Sequence, residues 1–195
     1  DLAGATVVTT PVTSLYSAST THLPFLVALD RLDALTGVGT KGFVSEKQAQ
    51  DRVAEAGVVE FSPTGTVDAE AVIAGKPQVL ITAGTDDPAF ATLTAAGIPV
   101  LANADWLEND PLGRAEYVKY FAALTGTEPQ AAEEFATVEQ SYRTIADSAA
   151  NADKVAVVRK YDGAISAYAL HHGYTGDYPP TCPVHGHPTH AEKGV

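Results

Sequence analysis

The sequence predicts an α/β fold: a Rossmann-like parallel sheet with helices on both faces, followed by a long helix, with a second lobe absent or severely truncated. Three observations predict it. Short apolar runs recur at 5–17, 36–40, 57–61, 78–84, 98–104 and 154–158. Most of these runs are separated by segments whose apolar residues fall at helical spacing. The alternation then stops near residue 110, where two helical segments follow one another directly. Continuously apolar strands separated by helices are those of a parallel sheet covered on both faces.

Taken in order, "ATVVTTPVTSLYS" (5–17) reads as the first strand. In "LPFLVALDRLDAL" (23–35), Phe25, Leu26, Leu29, Leu32 and Leu35 share one helical face. "TGVGT" (36–40), "GVVEF" (57–61), "QVLITAG" (78–84) and "IPVLANA" (98–104) are the next strands, with helices expected over 45–56, 68–74 and 88–96. From Pro111, whose fixed φ suits a first helical turn, Leu112, Ala115, Val118, Phe121 and Ala122 form an amphipathic face that ends near "TGTEP". A second helix follows over 129–149, with Phe135, Val138, Tyr142 and Ile145 on one side. At roughly 20 residues it spans about 30 Å, enough to carry the chain away from this sheet. The strand "KVAVV" (154–158) comes next.

Charge narrows the function. Twenty-four acidic against twelve basic residues give a net charge of −12, which repels phosphate backbones and anionic membrane surfaces. Nucleic acid is excluded as an expected partner. No stretch reaches the roughly 18 consecutive apolar residues of a membrane span, so the chain is expected to be soluble. It opens at Asp1 without a basic and then apolar leader, which predicts that any export signal has been removed or left out. Cys182 is the single cysteine, so no internal disulfide forms.

In an open parallel sheet, ligands bind outside the carboxyl ends of the strands. The loops expected there are 17–22, 40–43, 62–66, 84–87 and 105–110, dominated by small hydroxylated residues and glycines. These supply hydrogen-bonding groups without bulk, which suits binding better than catalysis. No dinucleotide or phosphate-loop glycine pattern, Gly-x-Ser-x-Gly or HExxH is present. Ser19, His22 and Asp30 could be drawn as a triad, but a triad is defined by geometry. His22 opens a helix beside the same edge, where it either bonds local backbone or touches ligand. Asp86 and Asp87 precede Pro88 at another helix start, where carboxylates accept from free N–H groups. Arg114 and Glu116 read as ion-pairing or capping groups.

The carboxyl-terminal tail carries five of the six histidines. Cys182, His185, His187 and His190 fall within nine residues, and such donors could hold Zn or Cu. Their spacing fits no zinc-finger pattern, and Pro183, Gly186 and Pro188 oppose an ordered scaffold, so a metal-scavenging or merely polar terminus are the two readings.

"STTHLPFLVALDRLDALTGVG" (19–39), "VDAEAVIAGKPQVLITAG" (67–84) and "LTAAGIPVLANADWLENDPLGRAEYVKYFAALTG" (93–126) carry a resemblance. With the long helix before "KVAVV", the chain over about 6–158 resembles the substrate-binding proteins of ABC importers for iron-siderophore, haem and cobalamin-type ligands. That family has two α/β lobes joined by a rigid helix. The resemblance implies an amino-terminal ligand-binding lobe at 1–110, a helical connector at 111–150, and at 151–195 a remnant of the second lobe with the His-rich tail. It implies no enzyme activity, but capture of a ferric siderophore, haem or corrinoid and delivery to an ABC permease. The protein would be extracytoplasmic, in the periplasm or at the cell surface, and touch the membrane only through a removed lipid anchor or the permease. Family members often place an aromatic residue where Trp106 lies; a core or lobe-surface position is the other reading. The ligand-contacting candidates are Thr21, His22, Lys41, Phe43, Thr64 and Trp106. An acidic residue near the helix start, Asp87 or its neighbour Asp86, would pair with permease arginines. Related metalloenzymes need cluster-binding cysteines, and this chain has one. The alternative is a single-lobe interaction or metal-binding protein that uses the His/Cys-rich tail.

Overall fold

The apolar runs do become strands, and five of them pair in parallel: β1 (Leu15–Ser17), β2 (Leu35–Val38), β3 (Val59–Glu60), β4 (Val79–Thr82) and β5 (Val100–Ala102). The structure is a computed structural model that describes residues 5–149 and the strands β6 (Lys154–Tyr161) and β7 (Ala164–His171). The parallel sheet has the order β3-β2-β1-β4-β5. The helices are α1 (Leu23–Ala28), α2 (Lys47–Ala54), α3 (Ala69–Gly75), α4 (Ala89–Ala95), α5 (Pro111–Ala115), α6 (Tyr117–Thr125) and α7 (Glu128–Ala149). The chain divides into two units, residues 1–140 and 141–195, and α7 begins in the first and ends in the second. In the second unit, β6 and β7 form an antiparallel pair with Lys154 opposite His171 and Tyr161 opposite Ala164. The expected strand at 154–158 is therefore longer and has its own partner.

Strand alternation builds two cores in the first unit. Successive side chains point to opposite faces of a sheet. Leu15, Val79 and Ile81 accordingly join Leu26, Val53 and Phe121 on one side. Tyr16 and Leu80 join Phe61, Val72 and Leu93 on the other. Each fully buried side chain of this size stabilises by about 1.5–3 kcal/mol, so these short strands are held mainly by what they carry.

The Tyr16 side is packed to the limit. Its ring stacks on Phe61 at 5.4 Å between centroids, and a Cβ added at Gly37 would lie 2.5 Å from the ring. Gly37→Ala is expected to cost about 1–3 kcal/mol through overpacking, read as a lower urea midpoint with an unchanged denaturant slope.

Several expected boundaries move, each for a local reason. The first strand is confined to Leu15–Ser17 because the preceding backbone is used elsewhere. Val12 N–H donates to the Leu124 carbonyl at 2.8 Å, and the Thr13 and Ser14 N–H groups donate to Gln78 Oε1 at 2.8 and 3.0 Å. The helix expected over 23–35 ends at Ala28, and Asp30 adopts a left-handed φ of 52°. The helix from Pro111 is two pieces that meet at Glu116. There the Lys119 N–H bonds the Glu116 carbonyl at 2.9 Å, an i to i+3 closure tighter than an α-turn.

The segment 111–150, expected as a connector, packs on the lobe over its first part. Val118, Phe121, Ala122, Leu124 and Ala131 are buried in the lobe's own core. Phe121 stacks on Phe25 at 5.4 Å and lies 5.5 Å from the His22 ring. The Arg31 guanidinium donates to the Thr125 carbonyl, and Gln130 Nε2 donates to the Ala28 carbonyl at 3.1 Å. Thus α6 and the start of α7 cover the sheet. Farther along α7, Val138 is 45% exposed and Ile145 66%. No described helix is long and apolar enough to cross a membrane.

Candidate functional site

The strand order creates the site. From β1 the chain steps outward through β2 to β3, then returns to place β4 on the other side of β1. The connections that follow β1 and β4 therefore diverge, and a crevice opens between them at the strands' carboxyl ends. A cleft of about 410 Å³ occupies this position. Ser19, Thr40, Ser62 and Thr85 bring hydroxyls to its wall, Gly39 and Gly65 bring bare backbone, and Phe43 and Phe90 bring aromatic surface. Asp86 and Asp87 complete that side. Gly84, at φ +79°, lets the loop after β4 approach the loop after β5 so closely that a Cβ there would lie 2.8 Å from the Ala104 methyl.

Five helix starts in the first unit are capped by their own loops, whereas α1 and α6 start without a side-chain cap. Ser19 Oγ accepts from Thr21 N at 3.3 Å, Glu46 Oε2 from Ala49 N at 2.6 Å, and Asp68 Oδ1 from Ala71 N at 3.0 Å. Asp87 Oδ1 accepts from Ala89 N at 2.8 Å, and Asp110 Oδ1 from Leu112 N at 2.7 Å. The capping reading of Asp87 is thus met, and its Oδ2 also accepts from Val67 N at 3.4 Å. Four of these five caps are carboxylates, and each satisfies an N–H that has no partner within its helix.

Beside the cleft, a polar chain links the loops after β1 and β5. Thr21 Oγ1 donates to Asp105 Oδ1 at 2.8 Å, although the two residues are 84 positions apart. Asp105 is 2% exposed, and its N–H donates to Asn103 Oδ1 at 3.1 Å. His22 lies behind them, with Nδ1 2.9 Å from Ser17 Oγ and Nε2 3.9 Å from Asp105 Oδ1. Burial pushes the His22 imidazole down from 6.5 to about 4, against the opposing pull of Asp105 and the Asn103 backbone. It is neutral at pH 7, so the His22–Asp105 approach is not an ion pair. The Ser17 hydroxyl is fully buried and also lies 2.9 Å from the Ser19 carbonyl, placed to donate to it. No substrate reaches Ser17, so this Ser-His-Asp arrangement is a structural bridge between loops. The hydroxyl against His22 is that of Ser17 and the carboxylate facing it is Asp105, so neither Ser19 nor Asp30 of the drawn triad takes those places.

The structure separates the expected contact residues. Phe43, 76% exposed, lines the cleft. Thr64 is exposed in the loop after β3, between the lining residues Ser62 and Gly65. Lys41 borders a neighbouring groove with Val44 and Val53, and its N–H donates to Glu60 Oε1 at 2.7 Å. Thr21 is committed to Asp105. His22 is 0% exposed, which corrects its place among the ligand-contacting residues: it props the rim from inside. Trp106 is 46% exposed, and its indole N–H donates to the carbonyl of the lining residue Ala83 at 2.7 Å, so it is a surface residue beside the cleft and not a core one. Arg114 holds this rim by donating to the carbonyls of Asp105, Trp106 and Glu108 at 3.2, 3.0 and 3.4 Å. Of its two expected roles, ion pairing or capping, the contacts to carbonyls fit the second more nearly. Cys182, His185, His187 and His190 lie outside the described residues, and no group of three or more potential metal ligands occurs among those described.

The family described as "Periplasmic binding protein" matches residues 13–178. The chain belongs to the periplasmic binding protein family. An uncharacterized lipoprotein of Methanocaldococcus jannaschii is 29% identical over 171 residues, which is 83% of this chain and 41% of that protein. Among solved structures, the siderophore-binding protein BauB, bound to two molecules of acinetobactin and ferric iron, aligns with a TM-score of 0.64 at 16% identity, over 96% of this chain and 68% of its own. A periplasmic heme-binding protein from Pseudomonas aeruginosa aligns with a TM-score of 0.58 at 23% identity, over 80% and 56%. This periplasmic binding protein chain therefore spans less than half the length of its curated relative and about half to two thirds of these structures.

Proposed function

We propose that the protein is an extracytoplasmic receptor that captures a bulky metal chelate, such as a ferric siderophore, haem or corrinoid, and delivers it to an ABC permease. The observation that carries this reading is the 410 Å³ cleft at the strand-order reversal, walled by hydroxyls, bare backbone, the exposed ring of Phe43 and the half-buried ring of Phe90. Such a surface binds by shape, stacking and hydrogen bonds, and needs no bond made or broken. Family membership supports solute capture, and the bound siderophore of one structural neighbour and the heme of another support the chelate class. Trp106 flanks the cleft as a further aromatic wall. The exposed part of α7 is the segment proposed to act as a strut. Asp86 and Asp87 line the cleft, and a role in meeting the permease is not needed to account for their place.

The single tryptophan makes the test direct. Titration with ferric chelates, hemin and cobalamin is expected to quench Trp106 emission for at least one of them, with the same ligand retained on equilibrium dialysis. Trp106→Ala is expected to weaken retention about tenfold, the ratio that ~1.4 kcal/mol of lost contact produces. Retention of none of the three overturns the reading.

A further inference from the structure

We infer that the cleft selects its solute by charge: it takes a neutral or cationic complex and refuses an anionic one. The inference rests on the solute-binding reading above and names the class of solute. Among the described residues that line the cleft, the only acidic or basic side chains are those of Asp86 and Asp87, with no lysine or arginine beside them. Charge in the surrounding loops points the same way. Glu60, Asp105, Glu108 and Asp110 outnumber the two cations, Lys41 and Arg114. Lys41 faces a different groove. The Arg114 guanidinium is taken up by three loop carbonyls.

The second line of argument is the state of the backbone donors. In open α/β sheets an anion in this crevice is ordinarily met by unpaired N–H groups at helix starts. Here part of those groups is closed by side chains of the same loops, although α1 starts at Leu23 without a side-chain cap. Asp87 accepts from Ala89 N and Val67 N, on two sides of the cleft wall, and Asp68, Asp110 and Ser19 do the same at neighbouring starts. A haem propionate or a catecholate oxygen entering the cleft would meet carboxylates where it needs donors. A neutral complex finds hydroxyls and aromatic faces, and a cationic one also gains from Asp86 and Asp87 without displacing any bond.

The test compares ferric complexes that share a metal but differ in charge: a monocationic trihydroxamate, a neutral trihydroxamate of similar size and a trianionic tris-catecholate. Each is titrated into the full 195-residue chain at low ionic strength, with Trp106 emission and dialysis-retained iron as readouts. The cationic and neutral complexes are expected to bind at least about tenfold tighter than the trianionic one, with the gap narrowing as salt is added. Asp86→Asn, at an exposed position, is expected to reduce the preference of the cation over the trianion about fivefold. Asp87→Asn, which keeps a capping oxygen, is expected to act in the same direction. Equal or tighter binding of the trianion, or a preference untouched in both variants, overturns the charge rule and leaves solute capture standing. Retention of no ferric complex of any charge removes the rule, and solute capture falls with it when hemin and cobalamin are not retained either.

Discussion

Phe121→Ala is expected to destabilise the protein by about 3–5 kcal/mol, the range for truncating a fully buried aromatic side chain. Phe121 is 0% exposed and touches three rings: Phe25 at 5.4 Å, Tyr120 at 5.4 Å and His22 at 5.5 Å. It is the principal anchor of α6 to the sheet, between Val118 and Ala122. Its loss opens a void that the surrounding strands and helices can only partly close. Urea unfolding of the variant should show the loss as a lower midpoint. A change below about 1 kcal/mol would mean that α6 is not part of the lobe's core and that the helical stretch works as a free connector from its beginning.

The second large effect is on acid stability, and it comes from His22. In the folded protein its imidazole titrates at about 4, against an ordinary value of 6.5. Between those pH values the unfolded chain takes up a proton that the folded chain refuses, so acid favours unfolding. The contribution is fully present above pH 6.5 and is lost progressively as pH falls toward 4. The displacement corresponds to ~3 kcal/mol at its limit. Carboxylates also begin to titrate at the lower end of this range, so the useful quantity is the difference from His22→Asn, which keeps a polar partner for Ser17. Unfolding free energies measured from pH 7.5 to 4 should fall more steeply in the parent than in the variant. Parallel curves would place a protonated or solvent-reached imidazole at this position and remove the buried bridge between the loops.

Both effects depend on contacts of different legibility. The apolar spacing of Val118, Phe121 and Ala122 is visible along the chain as one helical face, but periodicity does not say what that face covers. Reading it as a connector followed from resemblance. Packing against Phe25 and Leu26 was decided by tertiary structure. His22 was legible as a helix-start residue beside the binding edge, and its depth was not, because burial depends on Asp105 and Asn103 arriving from a loop over 80 residues later. The cap at Asp87 was read correctly because capping is local: the side chain and the N–H groups it accepts from lie within a few residues. The break at Asp30 carried no such local signal. An aspartate in the left-handed region sits inside what otherwise reads as an unbroken row of leucines.

From the amino-acid order alone came the succession of strands and helices, the loops that would form a rim, the acidic character of the chain and the lack of known catalytic motifs. Each of these depends on neighbours within a turn of helix or a strand's length, or on a sum over the whole chain. Tertiary structure decided which side of β1 receives β4, and with it where the crevice opens. It also decided that Phe43 and Phe90 line that crevice, while His22 is sealed behind it and Trp106 leans on Ala83 at its edge. Those outcomes belong to pairs far apart in sequence, brought together by the burial of two apolar faces of one sheet, and no local pattern encodes the pairing.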